Sequence, residues 1–204
     1  MRVSVGGRCY LMLRADHFLA NKAIDFDGWI AARERGITAT QVANAATPAG
    51  YDKMLAELRD PMPIEDNGYM RFGREQEGPI SMWVKEMFDI MPNEWLIVAK
   101  DHPTHLATPD GLSLSHDLIS EIKTTGKDWG ESKIPIAYRR QVQWQLHVTG
   151  AERCLFAWML RVESMGEFVP GWMEPKWLWM ERDDEMIGSL SVVANKLWED
   201  VNNA

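Results

Sequence analysis

The sequence predicts an α/β protein with a central mixed β-sheet flanked by helices. Three observations support this fold class: helical patterns fill the first part of the chain, short strand-like runs begin near Trp95, and helices alternate with strands from Pro135 onward. The almost wholly apolar run "CLFAWMLRV", from Cys154 to Val162, is typical of a strand covered on both faces. A sheet with helices packed on it accounts for all of these patterns.

The individual helices and strands follow from apolar periodicity between glycine and proline breaks. The predicted helices are Asp27–Arg35, Thr38–Ala46, Tyr51–Arg59, Tyr69–Phe88, Pro135–Val148 and Asp183–Val201. The predicted strands are Trp95–Lys100, Thr104–Thr108, Asp117–Thr124, Cys154–Val162 and an edge strand at Pro175–Asp183. Gly78-Pro79 predicts that the fourth helix restarts at Pro79, and Pro109-Asp110-Gly111 predicts the tight turn of a β-hairpin.

Length and composition are those of an ordinary globular protein. The chain has 204 residues, of which 46% are hydrophobic and 25% charged. This predicts one domain over residues 1–204, with a helical part at about 17–90 packed on a sheet core at about 91–204. Cys9 and Cys154 indicate neither a disulfide framework nor a metal knuckle, which predicts a reducing, cytoplasmic setting. We find no pattern of a signal peptide or a membrane span.

The charge distribution bears on the choice of partner. The formal net charge is −8, whereas proteins that bind nucleic acids usually carry a basic surface. Between Ile122 and Arg140, five basic residues outnumber two acidic ones, and between Val162 and Ala204 nine acidic residues outnumber three basic ones. Positive charge is therefore concentrated beside the candidate site described next, although most charge runs are simply solvated faces.

A metal site is predicted where the Pro-Asp-Gly turn meets the strand that contains Glu121 and Lys123. Alternation along this strand places Glu121 and Lys123 on one face and Ile122 on the other. Asp110, at the end of the adjoining strand, can meet them across the ladder. Two carboxylates and a lysine can bind Mg²⁺ through oxygen ligands, with the lysine orienting water or stabilising charge on a phosphate. Each fragment taken alone is better explained as a turn or an ordinary strand.

Three other segments supply further candidates. Glu77 lies on a predicted helix ahead of the strands and offers a third carboxylate, although such a residue is usually solvated. Tyr138, Gln141 and Gln145 fall close together on the next helix, where amides can bond to water or phosphate without adding charge. The segment "WIAARERGITATQV" places an arginine pair before threonines at a predicted helix start, which is the chemistry of an anion pocket.

Taken in order, these segments resemble the phage lambda exonuclease family, a branch of the PD-(D/E)-x-K nucleases, from about Trp29 to the final helix. "GREQE" is similar to the family's Gly-Arg-x-x-Glu, "TPDGL" to its Pro-Asp-Gly-Leu and "SEIKTT" to its Glu-Leu-Lys. "YRRQVQWQLHVTG" resembles the family's Tyr-x-x-Gln-Val-Gln-Tyr helix, and "WIAARERGITATQV" resembles its 5′-phosphate segment. The resemblance implies a restriction-endonuclease-like core.

The resemblance also implies three groups of site residues: metal ligands, other catalytic groups and a pocket for the 5′-phosphate of the substrate. The metal ligands are Asp110, Glu121 and the carbonyl of Ile122, the other catalytic residues are Lys123, Gln141, Glu77 and Tyr138, and the phosphate pocket consists of Arg33, Thr38 and Thr40. Arg35 stays open as an alternative to Arg33.

The activity that the resemblance implies is a 5′→3′ exonuclease with two Mg²⁺ ions, for which Mn²⁺ can substitute. Such an enzyme digests the 5′-ended strand of linear double-stranded DNA and leaves 3′ single-stranded overhangs. The implied partners are linear duplex DNA, a single-strand-annealing recombination protein and further copies of the chain in a homotrimeric ring. A phage or prophage protein acting in the cytoplasm of a bacterial host is expected, with no membrane partner.

Two alternatives stay open. A restriction-type or junction-resolving endonuclease would share the two carboxylates and the lysine, and a non-catalytic module would bind another recombination protein. Zinc chemistry is rated below both. His102 and His105 flank Pro103-Thr104 like a zinc pair, but no further ligand has suitable spacing, and His147 is interpreted as a surface or packing residue.

Overall fold

The structure is a computed structural model that describes residues 2–5, 8–11, 13–63, 65–130 and 133–203, with side chains from residue 13 onward. Its helices are α1 (Phe26–Arg33), α2 (Ala39–Ala45), α3 (Pro48–Arg59), α4 (Gly68–Phe88), α5 (Ile136–Thr149) and α6 (Asp184–Asn202). Its strands are β1 (Arg2–Val5), β2 (Arg8–Leu11), β3 (Phe18–Asn21), β4 (Ile90–Pro92), β5 (Trp95–Ala99), β6 (His102–Ala107), β7 (Gly111–Ser113), β8 (Leu118–Thr125), β9 (Arg153–Ser164), β10 (Glu167–Pro170) and β11 (Lys176–Glu181).

The largest sheet is mixed and has the strand order β10-β9-β8-β7-β4, with β11 also paired to β9. Strands β8 and β9 are parallel, and the other pairs in this sheet are antiparallel. Strands β3, β5 and β6 form a second sheet, and β1 pairs with β2. The predicted α/β class, with a mixed sheet flanked by helices, is confirmed.

The parallel pair β8 and β9 lies at the centre of the core. Cys154, Leu155, Phe156 and Ala157 on β9 have no solvent exposure, as expected for a strand covered on both faces. The register places Glu121 of β8 beside Phe156 of β9. A polar side chain on β8 is therefore held in the buried core.

Helices α4 and α5 pack on opposite sides of the site that β8 forms. Helix α4 contacts β4, β8 and β10, whereas α5 contacts β5, β6, β9, α2 and α6. Asn67 caps α4, since its Oδ1 accepts from Met70 N at 3.0 Å. Helix α5 ends at Gly150, whose φ of 73° is left-handed and suits glycine. Both helices therefore begin or end at residues suited to helix termini.

The prediction that the fourth helix restarts at Pro79 is wrong, because α4 is continuous from Gly68 to Phe88 and contains Pro79. Proline lacks an N–H and leaves the carbonyl four residues before it without a helical partner. Here Glu75, Gly78 and Pro79 are all exposed, so water can satisfy that carbonyl. Glu77 is consequently presented from a helix without a break.

The prediction of a hairpin with its turn at Pro109-Asp110-Gly111 is wrong, because the strand before this turn and β8 lie in different sheets. Strands β7 and β8 pair directly and are joined by residues 114–117. Pro109-Asp110-Gly111 instead connects β6, in the smaller sheet, to β7, in the larger one. Asp110 therefore stands at the junction of the two sheets. Among the helices in the described part of the chain, none combines the length and the apolar character needed to cross a membrane.

Candidate active site

Glu121 and Lys123 lie side by side on β8, as strand alternation predicted. Glu121 is only 2% exposed, and Lys123 Nζ donates a hydrogen bond to Glu121 Oε1. Burial of a carboxylate is unfavourable unless donors or charges compensate it. The lysine is one such compensation, and helix α5 supplies others.

Two glutamines on α5 hold the Glu121 carboxylate. Gln141 Nε2 donates to Oε1 at 2.6 Å, and Gln145 Nε2 donates to Oε2 at 2.6 Å. The ring of Tyr138, one turn earlier, lies 5.2 Å from Lys123 Nζ. Gln145 was grouped with Tyr138 and Gln141 by its spacing but was not assigned a role, and the structure gives it a contact with the carboxylate equivalent to that of Gln141.

The backbone around Asp110 fixes the second carboxylate. Asp110 N donates to Ser120 O at 3.0 Å, and the Asp110 carbonyl accepts from Asn93 N at 2.9 Å. Its side-chain Oδ2 accepts from Ile122 N at 2.6 Å, so the carboxylate reaches the middle of β8. A Cβ at Gly111 would lie 2.3 Å from Ser120 Oγ, which explains the glycine after the aspartate.

Glu77 approaches the same point from α4. It is half-buried and lines, with Asp110, Glu121 and Lys123, a cavity of about 570 Å³. Its charge is close enough to raise the pKa of Asp110. The structure thus brings three carboxylates and one ammonium group to one cavity, as the sequence predicted.

The electrostatics of the cavity favour a bound cation. Burial, and then the charges of Glu121 and Glu77, raise the pKa of Asp110 well above its usual value, although Lys123 acts against them. Burial lowers the pKa of Lys123, but the charges of Glu121 and Asp110 outweigh this effect and raise it. The lysine therefore stays protonated, and a bound cation would favour ionised Asp110 beside the other two carboxylates.

The donor set fits Mg²⁺. Oxygen ligands from one or two carboxylates, completed by water and substrate, are what this ion prefers. Thr108 Oγ1, which is buried beside the cavity, has no hydrogen-bond partner among the described residues. A buried hydroxyl without a partner is costly, and a hydrated ion would satisfy it. Asp110, Glu121 and the Ile122 carbonyl are the groups that could hold such an ion.

The residues predicted to bind a 5′-phosphate lie around the start of α2. Arg33 ends α1, is half-buried and stacks 4.3 Å from the centre of the Trp29 ring; burial lowers its pKa. Thr38 is buried and donates from N and Oγ1 to Gln41 Oε1 at 2.8 and 2.9 Å, whereas Thr40 is exposed.

This segment is joined to the region of the carboxylate cavity through β6. Ile37 N donates to Thr104 O at 2.7 Å, and Leu106 N donates to Ile37 O at 3.0 Å. Of the described residues, Arg33, Thr38 and Thr40 are not among those that line the cavity. The two groups are neighbours along β6 and do not share one cavity.

Comparison with known proteins identifies the family. The profile of the YqaJ-like viral recombinase domain matches residues 28–152, which include every site residue described above. The chain belongs to the YqaJ-like viral recombinase family. The resemblance to the lambda exonuclease family is thereby confirmed, because this domain is of the lambda exonuclease type. No curated protein matches the chain.

Solved structures of exonucleases have a fold similar to that of this YqaJ-like protein. An alkaline exonuclease from Laribacter hongkongensis, LHK-Exo, is 25% identical with a TM-score of 0.67, and 86% of this chain covers 94% of it. LHK-Exo in complex with dAMP gives 24% identity, a TM-score of 0.67 and coverages of 86% and 92%. A phage-related exonuclease from Haemophilus somnus 129PT shares the fold at 12% identity and a TM-score of 0.64, with coverages of 82% and 94%. The fold is that of alkaline exonucleases.

Proposed function

We propose that this YqaJ-like protein is a Mg²⁺-dependent 5′→3′ exonuclease. It digests the 5′-ended strand of linear double-stranded DNA and leaves 3′ single-stranded overhangs. The observation that carries the proposal is the convergence of Asp110, Glu121 and Lys123 in one cavity, with Gln141 bonded to Glu121. This is the arrangement of a PD-(D/E)-x-K nuclease, in one nuclease domain.

The chain's own residues have distinct tasks in this reaction. Asp110, Glu121 and the Ile122 carbonyl would hold the metal; the N–H of Ile122 already reaches Asp110, and the carbonyl of a strand residue lies on the same side as its N–H. When bound, two Mg²⁺ ions or substituting Mn²⁺ ions would neutralise phosphate charge and activate water. Lys123, kept protonated, stabilises the negative charge that develops on the phosphate and orients the attacking water.

Three further side chains set the position of these groups. Gln141 fixes Glu121 and offers its amide to water at the cavity edge. Tyr138 packs beside Lys123 and limits the directions that the ammonium group can take. Glu77 adds a carboxylate from the opposite wall, which strengthens the attraction for divalent ions.

The 5′-phosphate of the substrate binds near the start of α2, through Arg33, Thr38 and Thr40. Thr40 is exposed and Arg33 is half-buried, so both can reach an anion, while Thr38 positions the helix start. We expect Arg33→Ala to remove the preference for phosphorylated ends. Arg35→Ala tests the alternative in the same assay, because Arg35 is exposed two residues along; loss of the preference in Arg35→Ala and not in Arg33→Ala would assign the phosphate to Arg35.

The proposed partners follow from the same activity. Three copies of the chain form a ring around DNA, and a single-strand-annealing recombination protein receives the 3′ strand. The setting is the cytoplasm of a bacterial host that carries a phage or prophage. Sedimentation velocity of the purified chain measures the copy number directly.

The experiment that tests the activity is gel analysis of linear duplex DNA labelled at its 5′ or 3′ ends. Ends carry either a phosphate or a hydroxyl, Mg²⁺ is compared with EDTA, and a closed circular duplex serves as the control. We expect release of 5′ mononucleotides from phosphorylated linear DNA in Mg²⁺ and an intact circle. A cut circle would support a restriction-type or junction-resolving endonuclease. Absence of cleavage with any divalent ion would support a non-catalytic binding module.

A further inference from the structure

Three histidines form a cluster on the side of β6 that the nuclease mechanism does not use. His102 and His105 belong to β6, and His147 lies near the end of α5. One ring nitrogen from each lies within 4.8 Å of the others. The expectation that no third histidine or cysteine could join this pair is therefore wrong, whereas His147 does pack, against the Trp144 ring. The fold supplies His147 from a helix distant in sequence.

Hydrogen bonding selects a tautomer of His105 that suits a metal ligand. Its Nε2 lies 2.9 Å from Asn195 Oδ1 on α6, and its Nδ1 lies 2.9 Å from His147 Nε2. An amide oxygen accepts hydrogen bonds, so the proton of neutral His105 is on Nε2 and the lone pair on Nδ1 points at the cluster. Metal-binding histidines are usually held in this way by a partner on the second nitrogen.

Burial keeps these rings available as neutral ligands. His105 has no exposure, whereas His102 and His147 are half-buried and reachable from solvent. Burial lowers the pKa of His105, and burial together with the other two histidines lowers the pKa of His147 to about 4. At neutral pH the rings of His105 and His147 therefore carry lone pairs and no charge, which is the state that binds metal.

Aromatic packing explains only part of this arrangement. His102 and His105 stack with centroids 4.5 Å apart, and His105 lies 4.5 Å from the Trp144 ring. Stacking does not require ring nitrogens to converge, and any aromatic residue would serve. Convergence of three nitrogens, one of them fixed in the ligand tautomer, is the additional observation.

We propose that His102, His105 and His147 bind a Zn²⁺ ion, with the fourth coordination position open to solvent. Imidazole suits Zn²⁺, whereas Mg²⁺ prefers the oxygen ligands of the carboxylate cavity. In a tetrahedral Zn²⁺ site with Zn–N bonds of about 2.0–2.1 Å, the ligand nitrogens of two histidines are about 3.3 Å apart. The 2.9 Å contact therefore opens slightly, and the half-buried ring of His102 turns inward.

The ion would join elements that position the nuclease site. Strand β6 leads into Asp110, and α5 presents Gln141 and Gln145 to Glu121. Zinc between β6 and α5, with Asn195 of α6 holding His105, would fix these three elements relative to one another. Its expected role is structural, because the cluster is separate from the cavity with the three carboxylates.

The experiment uses Co²⁺ and Zn²⁺ salts with the full chain after treatment with a chelator. Co²⁺ in a tetrahedral nitrogen site gives visible absorption bands, which Zn²⁺ then removes by displacement. We expect a single equivalent to bind with this spectrum and to raise the melting temperature. A wild-type protein that shows neither the bands nor the thermal shift would overturn the proposal and leave a hydrogen-bonded histidine stack.

Variants distinguish this site from the carboxylates. His102→Ala and His147→Ala change half-buried residues, and we expect each to remove the tetrahedral bands and weaken Zn²⁺ binding at least about tenfold. Asp110→Asn is the matched control, since it alters the Mg²⁺ site and should leave the spectrum unchanged. Bands that persist in both folded histidine variants, with circular dichroism like wild type, would also overturn the proposal. Because the readout is metal binding, the result is independent of whether the chain cleaves DNA.

Discussion

Lys123 is held between two carboxylates that keep its ammonium group protonated, so its role is to stabilise charge. We expect Lys123→Ala to lower the cleavage rate roughly 10²–10³-fold, as loss of one such donor usually does. Folding, and DNA binding with Ca²⁺ in place of Mg²⁺, should be nearly unchanged by circular dichroism and gel shift. Lys53→Ala, in an exposed position on α3, is the control. A Lys123→Ala rate near wild type would remove the lysine from the mechanism.

Asp110 has a raised pKa, so metal binding must expel its proton over a range of pH. Its folded-state pKa lies above the unfolded value; the affinity for Mg²⁺ should therefore rise with pH until the folded-state pKa is passed. Calorimetric titration in two buffers of different ionisation enthalpy measures the released protons. Because the raised pKa means that ionised Asp110 is less favourable in the folded than in the unfolded state, ionisation lowers the stability of the metal-free protein. Metal-free Asp110→Asn should therefore have a higher melting temperature than wild type at neutral pH. Equal heats in both buffers at every pH would contradict the prediction.

Gln145 compensates the buried oxygen of Glu121 that faces away from Lys123. Removing one partner of a buried charged group costs about 1–3 kcal/mol, so Gln145→Ala should lose stability and bind Mg²⁺ more weakly. Gln143→Ala is a matched control on the same helix, because Gln143 is also buried but bonds to Glu181 O and Asp183 N at 2.8 Å. Denaturant unfolding should show a similar loss of stability in both variants. Mg²⁺ titration should show weaker binding in Gln145→Ala only. Equal Mg²⁺ affinities in both variants would argue against this role.

At the scale of elements, α4 tolerates a proline that most helices exclude. An exposed interior proline costs up to about 3 kcal/mol relative to alanine, so we expect Pro79→Ala to raise the free energy of unfolding by up to that amount. Gly188→Ala on α6 is the control, since an added Cβ there meets nothing within 4 Å and should gain about 1 kcal/mol. Urea unfolding measures both. Destabilisation by Pro79→Ala would mean that the proline makes contacts worth more than the helix gains.

Elements with a strong pattern could be predicted, and those defined by pairing could not. The long amphipathic helix α4 and the apolar strand β9 match their predicted positions closely. Strands β4 and β7 have three residues each. A segment that short is too small to show an alternating apolar pattern. The hairpin turn was misplaced because Pro-Asp-Gly has turn chemistry whether it joins two paired strands or two sheets.

The site followed the same division. Glu121 and Lys123 could be paired from alternation, and Asp110 from the turn next to them, because these contacts are local or lie across neighbouring strands. His147 could not be joined to His102 and His105, since that contact depends on how α5 packs on β6. Gln145 lay between these cases. Its spacing from Gln141 could be read from the sequence, but its hydrogen bond to Glu121 could not.

At the scale of the whole molecule, a net charge of −8 must be reconciled with a DNA substrate. Lys123, in the basic segment from Ile122 to Arg140, lines the cavity, and a field focused in a cleft or ring matters more than the net sum. Acidic residues are concentrated after Val162, away from this segment in sequence. The molecule can therefore repel DNA over much of its surface and still attract it at the active site.

This separation predicts a steep salt dependence of DNA binding. With Ca²⁺ in place of Mg²⁺, the logarithm of the affinity should fall linearly with the logarithm of the salt concentration, by about 0.9 per phosphate contacted. Lys127→Ala and Lys133→Ala, both at exposed positions of the basic segment, should each lower that slope by about 1. Lys53→Ala on α3 should leave it unchanged. Gel-shift titrations over a range of salt concentrations measure the slope, and a flat response in the wild type would mean that DNA is not bound through phosphates along this basic segment.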